Sequence, residues 1–144
     1  MRRLRPTQAV NSILDVDLPH LLSLGKRVLI FDLDNTLCRR GAKTLNPQIL
    51  QYLKAAKETG FQVGILTNRR CNANDPIIHD LRVLLPVVCA AGKPGRSSYV
   101  KLLNEMGASS DDAVMIGDKR WTDIWGANRV GIYSIRVKTY APLN

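Results

Sequence analysis

The chain has 144 residues, of which 45% are hydrophobic, and this size and apolar share suit one globular domain with its own core. No run of about 18 apolar residues occurs, so the sequence predicts no membrane-spanning helix, and Met1-Arg2-Arg3 does not lead into an apolar stretch of the signal-peptide kind. The net charge of +9 indicates attraction to anions, which include nucleic acid, phosphorylated small molecules and acidic membranes. We therefore expect a single domain over residues 1–144, located in the cytoplasm, with peripheral contact to an anionic membrane as an open alternative.

Residues 1–26 are predicted to be a helical or irregular lead-in, in which Asp17 caps a segment that runs through Leu24. From residue 27 to residue 137, short β-branched runs alternate with helical stretches, which is typical of βαβ units and a parallel sheet. Strands are predicted, in chain order, at Val28–Asp32, Phe61–Leu66, Val87–Cys89, Ala113–Gly117 and Gly131–Val137. Helices are predicted to begin at Pro47, near Asn74, after Pro94 and at Thr122 or Asp123, and to end near Thr59, Leu84, Met106 and Arg129. The order predicts an α/β sandwich around a five-stranded, mainly parallel sheet.

The three cysteines, Cys38, Cys71 and Cys89, are odd in number and form no CxxC pair. This spacing argues against a disulfide framework and against a zinc site. We expect each cysteine to be a small reduced residue in the core or near the site.

Polar and charged side chains follow four of the predicted strands, at the sheet edge where ligands bind in open α/β folds. In chain order they are Asp32, Asp34 and Thr36, then Thr67 and Asn68, then Lys93, then Asp118 and Asp123. Because the carboxyl ends of parallel strands share one edge, we expect these side chains to converge. Two carboxylates at the end of a buried strand suit a metal ion and a nucleophile, although a helix cap or a regulatory metal site would use similar residues.

A response-regulator receiver domain also uses aspartates and a lysine on a similar sheet. In a receiver, however, a separate phosphoacceptor aspartate ends a later strand. This chain has Thr67 and Lys93 after its second and third predicted strands instead. The pattern therefore disfavours a receiver.

Four segments occur in an order that resembles the four motifs of the haloacid dehalogenase (HAD) superfamily. They are Asp32-Leu33-Asp34-Asn35-Thr36, then Thr67, then Lys93-Pro94, then Gly117-Asp118 with Thr122-Asp123. The resemblance covers residues 27–137, the predicted catalytic core. Within the superfamily, the Thr-Asn pair, the Gly-Lys-Pro segment and the late Gly-Ala-Asn-Arg-Val-Gly segment are similar to subfamily IIIA phosphatases of the YqeG type.

This resemblance implies a magnesium-dependent phosphomonoester hydrolase that acts through an aspartyl-phosphate. It implies that Asp32 is the nucleophile and that Asp34 first protonates the leaving oxygen and then activates water. The implied ligands of Mg²⁺ are the Asp32 carboxylate, the Asp34 backbone carbonyl and the Asp118 carboxylate, a set that suits a hard cation with oxygen ligands.

The same resemblance implies how the phosphoryl group is held. Thr67 and the backbone N–H of Asn68 would donate hydrogen bonds to it, and Lys93 would neutralise its charge. Asp123 and Thr36 would support these groups from outside the ligand shell of the metal.

The short gaps between the motifs leave no room for a large cap domain. Ten residues, 37–46, separate the first motif from the next predicted helix, and residues 69–92 hold room for one helix and one strand. We therefore expect an open site for a large substrate such as a lipid, protein or nucleic acid, unless an oligomer closes it. Five arginines are expected to rim this site and bind an anionic substrate: Arg39, Arg40, Arg69, Arg70 and Arg120.

The YqeG-type resemblance implies phosphatidylglycerophosphate as a candidate substrate among large or multiply charged phosphate esters. A docking element for the membrane would then be needed, and the apolar positions of residues 8–24, Trp121 and Trp125 are the candidates. The interpretation we favour for both tryptophans is packing against the sheet. The alternative from another class is a basic HAD-like module that binds nucleic acid or the ribosome with little catalysis.

Overall fold

The computed structural model describes residues 2–140. Its six strands are all parallel and form one sheet in the order β1-β6-β5-β2-β3-β4. The strands are β1 (Gln8–Val10), β2 (Val28–Phe31), β3 (Gln62–Leu66), β4 (Val87–Val88), β5 (Ala113–Gly117) and β6 (Tyr133–Val137). The helices are α1 (Leu18–Ser23), α2 (Pro47–Glu58), α3 (Pro76–Leu84), α4 (Arg96–Glu105) and α5 (Trp125–Arg129).

The central strand β2 is buried on both faces, because successive residues of a strand point to opposite sides of the sheet. Leu29 and Phe31 belong to an apolar cluster that includes side chains of α1, α2 and α3. Val28 and Ile30 belong to a second cluster with side chains of α4 and α5. Helices therefore cover both faces of the sheet, and the predicted three-layer α/β sandwich is confirmed.

Helix boundaries follow from capping residues that are visible in the sequence. The side chain of Asn46 accepts a hydrogen bond from the Gln48 N–H at 2.8 Å at the start of α2, and Asp75 caps α3 in the same way. Both helices have proline at their first position, where the missing N–H costs nothing. Asp17 caps α1 through the His20 N–H at 3.0 Å, as predicted.

The predicted number of strands was wrong, because the lead-in contributes a sixth. Gln8–Val10 forms an edge strand that pairs with β6, where Gln8 lies opposite Ile135. Three residues are too few to show an alternating pattern, and the partner strand lies at the far end of the chain. The α/β class is unchanged.

The expectation that all three cysteines are reduced was also wrong. Cys71 and Cys89 form a disulfide, with their Cα atoms 5.3 Å apart. The bond joins the loop after β3 to the end of β4. Cys38 is free and buried, and burial raises the pKa of its thiol to about 12, so it is a protonated core residue as expected.

The carboxyl edge of the sheet is open. Between β2 and α2 the chain forms turns and one isolated bridge between Asp34 and Cys38, and between β3 and Lys93 it forms α3 and β4, so the prediction of no large cap domain is confirmed. Within residues 2–140, none of the helices has the length and apolar character needed to cross a bilayer.

Candidate active site

The candidate site lies beyond the carboxyl end of β2, which has β3 on one side and β5 on the other. This is the point where the chain changes direction across the sheet, and such a point forms a crevice for ligands. The backbone N–H of Asp32 donates to the Ile116 carbonyl at 2.9 Å, which extends the pairing of β2 with β5 by one residue. The Asp32 side chain is thereby placed at the sheet edge, where it is 7% exposed.

Lys93 lies under the site and connects three elements. Its Nζ donates to Asp32 Oδ1 at 2.8 Å, to Asp123 Oδ1 at 2.6 Å and to the Leu66 carbonyl at 2.8 Å. Burial alone would lower the pKa of Lys93, but the carboxylates of Asp123 and Asp32 outweigh it and raise the pKa above its ordinary value. The ammonium group is therefore retained as a buried positive charge.

Three aspartates form an acidic cluster beside this lysine. Each of Asp32, Asp118 and Asp123 offers one carboxylate oxygen, and these oxygens lie within 4.8 Å of one another. Burial raises the pKa of all three carboxyls, that of Asp123 to about 6.

One oxygen of this cluster lacks a partner. Asp118 Oδ1 is buried and has no hydrogen bond among the described residues. A buried carboxylate oxygen without a donor is costly unless a cation contacts it. Because Lys93 contacts only two of the three acids, the cluster retains uncompensated carboxylate oxygens, and this donor set fits a divalent metal ion with oxygen ligands.

The position of Asp123 depends on Gly117, which belongs to the predicted fourth motif, and on Tyr99, which the sequence did not single out. A side chain at Gly117, the last residue of β5, would overlap the Asp123 carboxylate, so only glycine fits there. The buried hydroxyl of Tyr99 in α4 donates to the backbone carbonyl of Asp123 at 3.1 Å. The only sequence signal for Tyr99 was its place in a predicted helix, which gave no hint of this contact.

Asn68 joins the second motif to the third through its side chain. Its Oδ1 accepts from the Lys93 N–H at 2.8 Å, and its Nδ2 donates to the Lys93 carbonyl at 3.2 Å. Thr67 is buried, and its Oγ1 accepts from the Arg69 N–H at 3.0 Å. The side-chain clamp of Asn68 on Lys93 was missed, whereas the predicted role of its backbone N–H stays a prediction.

Arg69 binds the second aspartate of the first motif. Its guanidinium donates to Asp34 through Nη2 at 2.5 Å and Nε at 3.3 Å, and its Nη1 contacts the Ala42 carbonyl at 2.8 Å and Asp75 Oδ2 at 3.3 Å. Partial burial would raise the pKa of Asp34, but the hydrogen bonds from Arg69 and from the Gly41 N–H hold it below its ordinary value. We had expected Arg69 at the rim of the site, but these ion pairs were not foreseen.

A small pocket of about 50 Å³ opens between these groups. The side chains that line it are Asp32, Asp34, Thr67, Asn68, Arg69, Lys93, Lys119 and Thr122. Thr36 lies outside the lining, where it is buried and its hydroxyl has no hydrogen-bond partner among the described residues.

Of the five arginines expected at the rim, only Arg69 lines this pocket. Arg39, Arg40 and Arg70 are exposed nearby in sequence, and Arg120 is exposed with Nη1 at 3.5 Å from the Leu4 carbonyl. A role of these four arginines in substrate binding therefore stays a prediction.

The structure contradicts the favoured interpretation for one of the two tryptophans. Trp125 is half-buried, and its packing against the sheet stays a prediction, whereas Trp121 is 63% exposed. Helical spacing predicted one common face for both residues, but the segment Arg120–Ile124 has wider π-helical turns. The expectation that Trp121 packs against the sheet was therefore wrong.

A parallel sheet with these acids, a lysine and a threonine at its carboxyl edge defines a phosphatase of the haloacid dehalogenase type. Two family profiles match the chain: one described as haloacid dehalogenase-like hydrolase over residues 29–94, and one described as HAD-hydrolase-like over residues 90–140. The chain belongs to this superfamily of hydrolases, and within it the chain is similar to the YqeG-type phosphatases.

Two curated relatives align with nearly all of the chain. "Probable phosphatase YqeG" of Bacillus subtilis is 28% identical over 132 residues, which are 92% of this chain and 76% of the relative. "Phosphatidylglycerophosphate phosphatase 1, chloroplastic" of Chlamydomonas reinhardtii is 27% identical over 140 residues, which are 92% of this chain and 52% of the relative. The chain thus spans about half the length of the second relative.

Solved structures show the same fold. A subfamily IIIA HAD hydrolase from Legionella pneumophila superposes with a TM-score of 0.61 at 23% identity, over 85% of this chain and 70% of that one. A HAD phosphatase from Thermococcus onnurineus superposes with a TM-score of 0.65 at 16% identity, over 82% of this chain and 89% of that one.

Proposed function

We propose that the protein hydrolyses phosphate monoesters with Mg²⁺ and that Asp32 is its nucleophile. The observation that carries this proposal is the placement of Asp32: its carboxylate lines the pocket, is held by Lys93 at 2.8 Å and shares the acidic cluster with Asp118. A carboxylate fixed in this way is oriented for in-line attack on phosphorus.

The first chemical step forms a bond between an Asp32 oxygen and phosphorus while the bond from phosphorus to the ester oxygen breaks. Asp34, which lines the same pocket, gives a proton to that departing oxygen, and it carries this proton because the negative charge of the bound substrate raises its pKa. In the second step Asp34 takes a proton from water, the water oxygen bonds to phosphorus, and the Asp32–phosphorus bond breaks to release phosphate. Thr67 and the Asn68 N–H donate to the phosphoryl oxygens throughout.

Mg²⁺ would be held by Asp32, Asp118 and the Asp34 carbonyl, with Asp123 holding Lys93 beside them. The ion would offset the repulsion between the Asp32 carboxylate and the phosphate dianion. Lys93 alone cannot supply this positive charge, because its ammonium group already binds the carboxylates of Asp32 and Asp123.

The test of the nucleophile is Asp32→Asn, assayed on an aryl phosphate with Mg²⁺. We expect turnover to be abolished while the circular dichroism spectrum is unchanged, because the amide keeps the shape of the carboxylate. The matched control is Asp80→Asn on the exposed side of α3, which should leave turnover unchanged. Measurable turnover by Asp32→Asn would remove Asp32 as the nucleophile.

We propose phosphatidylglycerophosphate as the physiological substrate. Three features support it: the Chlamydomonas relative is named for that substrate, the sheet edge carries no cap domain, and the net charge is +9. The test is release of phosphate from phosphatidylglycerophosphate in mixed micelles, compared with a panel of soluble sugar phosphates. Good turnover of a sugar phosphate with none of the lipid would contradict the proposal.

A further inference from the structure

An exposed tryptophan lies next in the chain to a residue of the catalytic pocket. Trp121 is 63% exposed and sits in the chain between Lys119 and Thr122, both of which line that pocket. Its ring contacts that of Trp125 edge-on, with the ring centroids 5.9 Å apart. A single exposed apolar residue is ordinary on a protein surface, so its neighbours decide what it means.

The neighbours of this tryptophan pair are arginines. The guanidinium carbons of Arg3 and Arg129 lie 5.9 Å and 5.5 Å from the centroid of the Trp125 ring. Beside them is a cavity of about 500 Å³ whose lining includes Arg3, Arg5 and Arg129 and contains no acidic residue. Aromatic and cationic groups are therefore concentrated on one face, and Lys119 and Thr122 connect this face to the pocket along the chain.

The arginines of this face are carried by an ordered segment rather than by a free tail. Asn128 Nδ2 donates to the backbone carbonyls of Arg3 at 3.1 Å and Arg5 at 3.0 Å, and Arg120 Nη1 approaches the Leu4 carbonyl at 3.5 Å. The four ion pairs among residues 2–140 use Arg69 and Lys93 as their cations, so the charges of Arg5, Arg120 and Arg129 are not neutralised by any of them.

We propose that this surface, the Trp121 face, docks on an anionic lipid bilayer so that the pocket meets phosphate at the headgroup level. The Trp121 face consists of Arg3, Arg5, Arg120, Trp121, Trp125 and Arg129. The inference rests on the proposed lipid substrate, because that substrate must be reached at a membrane surface.

A bilayer suits this face better than nucleic acid does. Nucleic-acid-binding aromatic residues stack bases on their ring faces, but two guanidinium groups already lie over the ring of Trp125. An exposed tryptophan with arginines around it matches the headgroup region instead, where tryptophan is enriched and basic residues meet anionic lipid.

The experiment measures sedimentation of the intact chain with vesicles of equal parts phosphatidylcholine and phosphatidylglycerol. We expect binding to these vesicles at low salt, a blue shift of tryptophan emission on binding, and little binding to vesicles of phosphatidylcholine alone. Arg5→Gln should weaken binding about fivefold, as expected for one basic residue at an anionic surface. Trp121→Ser should weaken binding and abolish most of the blue shift.

Matched control variants lie on the helices that cover the other face of the sheet. Lys54→Gln on α2 removes one exposed charge and Val83→Ser on α3 removes one exposed apolar side chain, which is 75% exposed. Both should bind the vesicles as the unchanged protein does. The proposal would be overturned if Trp121→Ser and Val83→Ser bound anionic vesicles equally. It would also be overturned if the unchanged protein bound neutral and anionic vesicles equally, or if it bound RNA and no vesicles.

Failure of docking and failure of the proposed function give different results. Asp32→Asn should still sediment with anionic vesicles, and Trp121→Ser should still hydrolyse an aryl phosphate at the unchanged rate. A matching loss of aryl phosphate hydrolysis in Trp121→Ser would place Trp121 in the catalytic pocket and overturn the docking role. Vesicle binding by a protein that does not hydrolyse phosphatidylglycerophosphate would support docking and remove only the substrate.

Discussion

Arg69 binds three parts of the site with one guanidinium group. It fixes the Asp34 carboxylate from two nitrogens, contacts the Ala42 carbonyl in the loop after the first motif, and pairs with Asp75, which caps α3. A planar fork with several donors can do this, whereas the single ammonium group of lysine cannot hold a carboxylate from two sides. Arg69 is thus a positioning residue for Asp34 in the proposed mechanism.

We predict that Arg69→Lys lowers kcat for an aryl phosphate by about tenfold to a hundredfold, with a smaller change in KM. The physical reason is that Asp34 loses its two-point contact and so its alignment with the departing oxygen. Steady-state kinetics on the purified variant check this expectation. Arg96→Lys, at an exposed position at the start of α4, is the matched control, and an equal kcat for the two variants would contradict the prediction.

For single residues, the sequence predicted which side chains belong to the site better than it predicted which side chains contact one another. Asp32, Asp118 and Lys93 could be assigned to one site because parallel strands share a carboxyl edge, and the structure brings them together. The partners of Arg69 and the hydroxyl contact of Tyr99 could not be predicted, because each depends on the distance between loops that are remote in the chain.

The loops after β3 and β4 are connected twice, once by a covalent bond and once by hydrogen bonds. The Cys71–Cys89 disulfide joins them, and the Asn68 amide holds the backbone of Lys93. The disulfide closes a loop with a sequence separation of 18 residues, and a loop of about that size gains roughly 3 kcal/mol from cross-linking in the chain-entropy model.

We predict that Cys89→Ser lowers the free energy of unfolding by about 3 kcal/mol relative to the oxidised protein, because the unfolded chain is no longer constrained. Urea denaturation monitored by circular dichroism, with and without reductant, measures this change. The double variant Cys71→Ser with Cys89→Ser is the control, and reductant should not affect it. If reductant leaves the stability of the unchanged protein unaltered, the disulfide does not contribute in solution.

Most elements were predictable because their boundaries are marked by local chemistry. Pro47, Pro76 and the capping side chains before them fix two helix starts regardless of the rest of the fold. The edge strand Gln8–Val10 and the disulfide were not predictable, since both arise from pairing between segments that only the folded chain brings together.

At the scale of the whole molecule, the net charge of +9 coexists with a buried cluster of three acids. Mutual repulsion among Asp32, Asp118 and Asp123 opposes folding, and Lys93 offsets only part of it. A bound divalent cation should therefore stabilise the folded chain as well as complete the proposed site.

We predict that saturating Mg²⁺ raises the melting temperature by about 5 to 10 °C over the protein in a chelator. The figure follows from binding at roughly a hundred times Kd in a domain of this size. Differential scanning calorimetry measures the shift, which needs no substrate or turnover. Asp118→Asn should lose most of it, whereas Asp80→Asn should retain it, and an equal shift in both variants would contradict a metal site at Asp118.

The fold class and the location of the site were predictable at this scale because alternating strands and helices permit few topologies. The charge of the chain was predictive only of attraction to anions. In the docking proposal, the anion is selected by the arrangement of Trp121, Trp125 and the arginines around them, and that arrangement is a property of the folded surface.

The pairing of β1 with β6 also sets the order in which this protein is completed during synthesis. Thr7 and Ser134 exchange hydrogen bonds across 127 positions, so β1, which is synthesised well before β6, must wait for β6 before it can pair. The backbone contacts of Asn128 with Arg3 and Arg5 form equally late. A nascent chain that already contains Asp32, Thr67 and Lys93 would therefore still lack the contacts of residues 3–10 beside the fourth motif. Translation must reach β6 before all six strands of the sheet can pair.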